Sequence, residues 1–185
     1  MAVGVFAASA SRSSKPKISK TELSEDQKQV YQSFLESQTK KGTVPLRLAS
    51  TTTPLLLSEY MHDCLKDLEL QNLVEVQETV HVIASDVAKQ SNVMLVDPRH
   101  YKISDPQKAI EHGKSVGDAV TAGFGAGIWN ISEIAFDSSH QHAIFRYTFY
   151  CGRLCGYGGT ATYEKTSNGW TEQTTGVVCI EMIQF

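Results

Sequence analysis

The chain has 185 residues, a formal net charge of -3 at pH 7, 41% hydrophobic residues and 20% charged residues. That length and balance fit a single domain with a substantial core. The small negative charge gives no electrostatic case for nucleic acid or an anionic membrane, and no apolar run reaches the roughly 18 residues that span a bilayer.

Met1–Ala10 reads MAVGVFAASA, small and apolar, and Ala8-Ser9-Ala10 has the small-x-small form of a signal-peptidase site. A polar stretch from Ser11 to Lys17 follows. Residues 1–21 are therefore read as a signal remnant and flexible linker. Residues 22–185 are read as a single α+β domain of a periplasmic or secreted protein. The missing basic n-region leaves a plain N-terminal tail as the competing reading.

Ser24 and Gln27 form a capping-box pattern, with Glu25 and Asp26 in the first turn. Leu23, Val30, Tyr31, Phe34 and Leu35 fall near one face of the helix they open, and Gly42 after Lys40-Lys41 stops it. Leu46–Ser50 reads as a short strand. Ser58 caps a second helix, in which Met61, Cys64, Leu65 and Leu68 recur at helical spacing. Residues 70–92 are ambiguous; helix is the reading for 80–90. Val93–Val96 is a buried strand, and Asp105-Pro106 opens a helix expected to run to about residue 122.

The last third reads as an antiparallel meander. Ala143, Phe145, Tyr147, Phe149 and Cys151 alternate with Arg146 and Thr148, so the aromatics face the helices. Ile131, then Ile134 and Phe136, shift phase once, which a bulge near Ser132 would explain. A third strand is expected over 159–165 and a fourth from Trp170 to Met182, joined by an Asn168-Gly169 turn.

Four cysteines are present, and in an exported chain they suggest disulfides, with three pairings open. Buried free thiols in a cytosolic chain are the alternative. Gly152-Arg153-Leu154 would act as a three-residue loop, bringing Cys151 and Cys155 within disulfide reach across neighbouring strand ends. A redox dithiol is the competing function, but this spacing lacks the helix N-terminus that activates such thiols. Cys64 and Cys179 remain as a second pair.

His140-x-His142 would place two imidazoles on one strand face. A metal site needs further ligands, which Asp137, His81, His100 or His112 would have to supply through tertiary contacts. A polar hairpin tip accounts for the same residues. Gly123-Phe124-Gly125-Ala126-Gly127 follows a helix instead of opening one, so it fails the dinucleotide test and reads as a flexible link. Tyr147, Tyr150, Tyr157 and Tyr163 read as core in preference to a cavity lining. No catalytic, cofactor-binding or metal-binding residue is assigned.

Ile131-Ser132-Glu133-Ile134-Ala135-Phe136-Asp137, His142-Ala143, Tyr150-Cys151-Gly152-x-Leu154-Cys155-Gly156-x-Gly158 and Asn168-Gly169-Trp170 together resemble a group of uncharacterised exported bacterial proteins. That group shares a strand, a hairpin to a second strand, a CGxLCGxG corner and a further pair of strands with a tryptophan after a turn glycine. The Val30-Tyr31 helix and Val96-Asp97-Pro98 are similar as well, while the terminal Cys179–Phe185 departs from the group's Trp-x-Ser-like ending. The resemblance implies fold and export, and no activity.

The expectation is an α+β fold: N-terminal helices packed on a C-terminal antiparallel meander of about four strands. The first functional reading is a non-enzymatic binding or interaction module of the cell envelope, with an envelope protein as the partner. The alternative is an enzyme whose dispersed site lies in the helix–sheet cleft. A polar pocket holding a titratable pair would favour the enzyme; a filled core with only an exposed apolar patch would favour the module.

Overall fold

The structure is a computed structural model that describes residues 15–40, 45–89, 92–103, 105–153, 155–173 and the backbone of 183–184. Strand β1 (Lys17–Ile18) leads into helix α1 (Glu25–Thr39). The capping box forms as its residues dictate: the Gln27 N–H donates to the Ser24 hydroxyl, and the Ser24 N–H donates to the Gln27 side chain at 2.8 Å. Strand β2 (Leu46–Ala49) and helix α2 (Glu59–Cys64) follow, the latter capped by Ser58 and continued by a 3-10 turn at Lys66–Leu68. Next come α3 (Leu73–Glu78), β3 (Thr79–Val80), α4 (Ser85–Ala88) and β4 (Val93–Val96). Helices α5 (Pro106–Glu111) and α6 (Val116–Gly125) precede strands β5 (Ile128–Ile131), β6 (Ala135–Phe136), β7 (His142–Gly152), β8 (Cys155–Thr166), β9 (Gly169–Glu172) and β10 (Ile183–Gln184).

Helices and sheet are both present, so the α+β class holds, but the sheet is not a simple four-strand meander. Its order is β10-β8-β7-β5-β2-β4, with β6 also beside β7 and β9 beside β8. The C-terminal strands pair antiparallel, whereas β2 pairs in parallel with both β4 and β5. The sequence reading gives Leu46–Ser50 and Val93–Val96 as strands but assigns them no place in the sheet. Their pairing partners lie far along the chain, joined through helical crossovers, and non-local pairing leaves no local pattern to read.

One face of the sheet carries α1. Val30, Tyr31, Phe34 and Leu35 are buried there with Leu48, Trp129, Phe145 and Phe149. Phe34 meets Phe145 edge-on at 5.1 Å, and Tyr31 meets Phe145 at 5.6 Å. The helix is also tied down by polar contacts: Lys165 Nζ and Trp170 Nε1 donate to Asp26 Oδ1 at 2.8 and 3.1 Å. On the opposite face Ile144 packs with Met61 and Leu65. The expected alternation of β7 is therefore present, with a second, smaller apolar layer behind it.

Five expectations about elements are corrected. Residues 80–90 are not one helix: Val80 pairs with Ile18, Val82 bridges Thr51, the Ile83 N–H donates to the Ser50 carbonyl, and of the described residues 80–89 only Ser85–Ala88 is helical. The helix opened by Asp105-Pro106 ends at Glu111, because Gly113 takes φ +88° and Ser115 caps a new helix. Gly123 and Gly125 lie inside that helix, so this stretch is packed structure and not a flexible link. The third strand starts at Cys155, four residues earlier than expected. Lys17 and Ile18, placed in the linker by the sequence reading, pair in parallel with Thr79 and Val80. The expected signal segment and most of the expected Trp170–Met182 strand lie outside the described residues; of the latter, Trp170, Thr171 and Glu172 pair with β8.

Candidate functional site

The site begins at the phase shift in the sequence. Between the pairs Ile131↔Tyr147 and Ala135↔Ile144 the register slips by one residue, so a bulge separates β5 from β6. Glu133 and Ile134 leave the ladder, while Ser132 keeps its N–H bond to the Arg146 carbonyl at 2.8 Å and bridges Thr53. Compensating bonds hold the bulge: Ser132 Oγ accepts from the Arg146 N–H at 2.8 Å, and the Glu133 N–H donates to the Thr53 carbonyl at 2.7 Å. A bulge re-aims the side chains it carries. Here it turns Glu133 into the interior, where it is 1% exposed.

A carboxylate at that depth needs donors. Oε1 accepts from the Thr52 hydroxyl and, at 2.9 Å, from the His81 N–H; Oε2 lies 2.9 Å from His81 Nδ1. A carboxylate only accepts, so pairing with a neutral His81 ring assigns the Nδ1 proton to the Glu133 contact and leaves Nε2 as the acceptor. That Nε2 faces Thr21 Oγ1 at 3.3 Å. Thr21 Oγ1 in turn lies 2.7 Å from Ser19 Oγ, which accepts the Thr21 N–H. Beneath this cluster the Tyr31 hydroxyl donates to the Ser132 carbonyl at 2.7 Å. Burial, and then the nearby Glu133 carboxylate, push the Tyr31 phenol well above its ordinary pKa, so it remains a donor.

Thr21, His81 and Glu133 all border a cavity of about 290 Å3 between the start of α1, α3 and the bulge. Its lining is mixed: carboxamides at Gln27 and Asn72, carboxylates at Glu22 and Glu75, and apolar Val76 and Phe136.

The other candidate residues fall elsewhere. Cys151 and Cys155 are disulfide-bonded, with Cα atoms 5.1 Å apart. Cys64 is not a free thiol; Cys179, its expected partner, lies outside the described residues. His140 and His142 do not share a strand face. His140 sits in the turn at φ +53° with its ring stacked on Phe136, while His142 Nδ1 contacts Asp137 Oδ2 at 3.0 Å. Asp137 Oδ1 also accepts the backbone N–H groups of Gln141 and His142, so this cluster organises the hairpin tip. Burial would raise the Asp137 pKa, but the Ser139 and His142 hydrogen bonds outweigh it and hold the carboxyl below its ordinary range. Among the described residues no three His, Cys, Asp or Glu side chains converge as metal ligands would. Of the four tyrosines, Tyr163 is core, Tyr147 is half-buried, and Tyr150 and Tyr157 are exposed.

Sequence reasoning missed Thr21, Thr52 and Glu133 as site residues, and named His81 only as a distant metal ligand. One local signal was available: an acidic residue sitting on the phase shift, where alternation no longer forces it to the surface. Comparison with family models, curated proteins and solved structures finds no match to the chain.

Proposed function

We propose that the chain is an exported protein acting on a small polar ligand, with His81 as a general base in the cleft between α1, α3 and the β5–β6 bulge. The single observation that carries this reading is the His81–Glu133 pair on a polar cavity, since a buried carboxylate that fixes one ring nitrogen leaves the other poised to take a proton. A periplasmic or secreted location is supported by the Cys151–Cys155 disulfide, which persists most readily in an oxidising compartment.

The second reading, an interaction module for an envelope protein, has its own observation. Val116, Val120 and Phe124 are exposed at helical spacing along α6. A thermal-shift screen of small polar compounds separates the two. Compounds that raise the Tm of the wild type, but not of His81→Asn, support the cavity as the functional site. An unresponsive cavity, together with partner capture that is lost in Phe124→Ser, supports the module.

A further inference from the structure

We infer that Thr21 is a nucleophile and that the cavity is an acyl-transfer site for small neutral or cationic esters. This rests on the reading of His81 as a general base. Thr21 Oγ1, His81 Nε2 and Nδ1, and Glu133 Oε2 form a hydroxyl–imidazole–carboxylate series, with steps of 3.3 and 2.9 Å. An unactivated hydroxyl is a weak nucleophile; an adjacent base held by a third group activates it. The donor assignments agree along the whole series. The Thr21 N–H donates to Ser19 Oγ, the Ser19 hydroxyl can donate to Thr21 Oγ1, and the Thr21 hydroxyl is then free to donate to Nε2. Glu133 does not touch the reacting atoms. It is a positioning residue, which selects the His81 tautomer.

The reaction balances as ester plus water giving acid plus alcohol. Thr21 Oγ1 attacks the carbonyl carbon while its proton passes to His81 Nε2. The tetrahedral adduct collapses, the carbon–oxygen bond to the leaving group breaks, and the departing alkoxide takes the proton from Nε2. Water then attacks the Thr21 ester, giving its proton to Nε2, and the acid leaves as the Thr21 hydroxyl is restored. Gln27 and Asn72, whose carboxamides can donate hydrogen bonds, border the same cavity. Glu22 and Glu75 on the same lining disfavour an anionic substrate, and a cavity of about 290 Å3 suits a short acyl chain.

The test is labelling of the full chain with diisopropyl fluorophosphate, which transfers its phosphoryl group to an activated hydroxyl and releases fluoride. Peptide mapping should place the adduct on Thr21. Thr21→Ala should abolish it and Thr21→Ser should restore it on residue 21. His81→Asn should slow it by about 10²-fold or more. Glu133→Gln presents an N–H to Nδ1, reverses the tautomer, suppresses labelling and moves the tautomer-sensitive 15N signals of His81. Circular dichroism of each variant controls for folding. No adduct on the folded wild type, or an adduct on Ser19 with Thr21 unmodified, overturns the inference. So does labelling that is indifferent to both His81→Asn and Glu133→Gln. If labelling fails while polar ligands still stabilise the wild type and not His81→Asn, the nucleophile falls and the proposed cavity function stands. If both fail, both readings fall.

Discussion

Glu133 is the residue on which the site's geometry turns. Its carboxylate satisfies the Thr52 hydroxyl, the His81 N–H and the His81 ring at a position closed to water. Removing it takes the acceptor from the His81 ring and leaves the His81 N–H and the Thr52 hydroxyl only their bonds to each other's residue, and an unsatisfied buried donor costs about 1–3 kcal/mol. Glu133→Ala should therefore lower unfolding free energy by that amount in urea titrations. A change within a few tenths of a kcal/mol would mean that water reaches the bulge. Asp137 contributes differently, through pH. Its folded pKa lies below the ordinary carboxylate value of about 3.9, so its bonds at the hairpin tip add stability in full above that value. That contribution is lost as pH falls from about 4 through the depressed folded value. Asp137→Asn should accordingly cost stability at pH 6 and far less near pH 2. Unfolding midpoints of the two proteins at both pH values check this; an equal difference at both would remove the carboxyl from the account.

At the scale of elements, β7 is the strand that both faces of the fold depend on. Phe145 is fully buried and touches Tyr31, Phe34 and Tyr163 by ring contacts. Phe145→Ala should cost roughly 3–5 kcal/mol. A loss below about 1 kcal/mol would put the side chain at the surface. Gly127, at the turn from α6 into β5, is a second sensitive point. A Cβ there would run into the Phe149 ring and Cys151, and Phe149 is itself wedged against Trp129. Gly127→Ala should cost about 1–3 kcal/mol through overpacking, measured by the same titration. The elements legible beforehand were those with a local cause. The Ser24/Gln27 cap, the alternation of β7 and the single phase shift near Ser132 each sit within a few residues of sequence. Strand β3 was not legible, because two valines at helical spacing from Ile83 suggested a helix while the pairing with β1 that decides the matter comes from sixty residues away. The α5–α6 break was written in Gly113 and Ser115, but a continuous apolar pattern masked it.

For the whole molecule, the candidate site joins the N-terminal segment, the α3–β3 region and the β5–β6 bulge, and no sequence pattern links three such distant pieces. Its members are also ordinary residue types: a threonine, a histidine and a glutamate with no fixed spacing. Only the fold brings them to one cavity, so site legibility was confined to the bulge. The N-terminal boundary then becomes a functional question. A cut after Ala10 leaves Ser11 as the first residue and keeps the β1–β3 pair, the Ser19 N–H bond to the Val80 carbonyl at 2.8 Å and the Thr21 contact with His81. A chain beginning at Glu22 keeps the α1 cap and the aromatic core but loses all three. The chain starting at Ser11 should match the full-length protein in unfolding free energy. The one starting at Glu22 should fold yet lose roughly 1–3 kcal/mol, the net worth of a few hydrogen bonds. It should also show no ligand response at His81. Urea titration and the thermal-shift screen on the two truncations read both quantities. Intact mass of protein recovered from its native host completes the test: a mature start at Ser11 fits export with the site preserved, whereas a mature start beyond Thr21 would separate the exported form from the site and overturn the link between them.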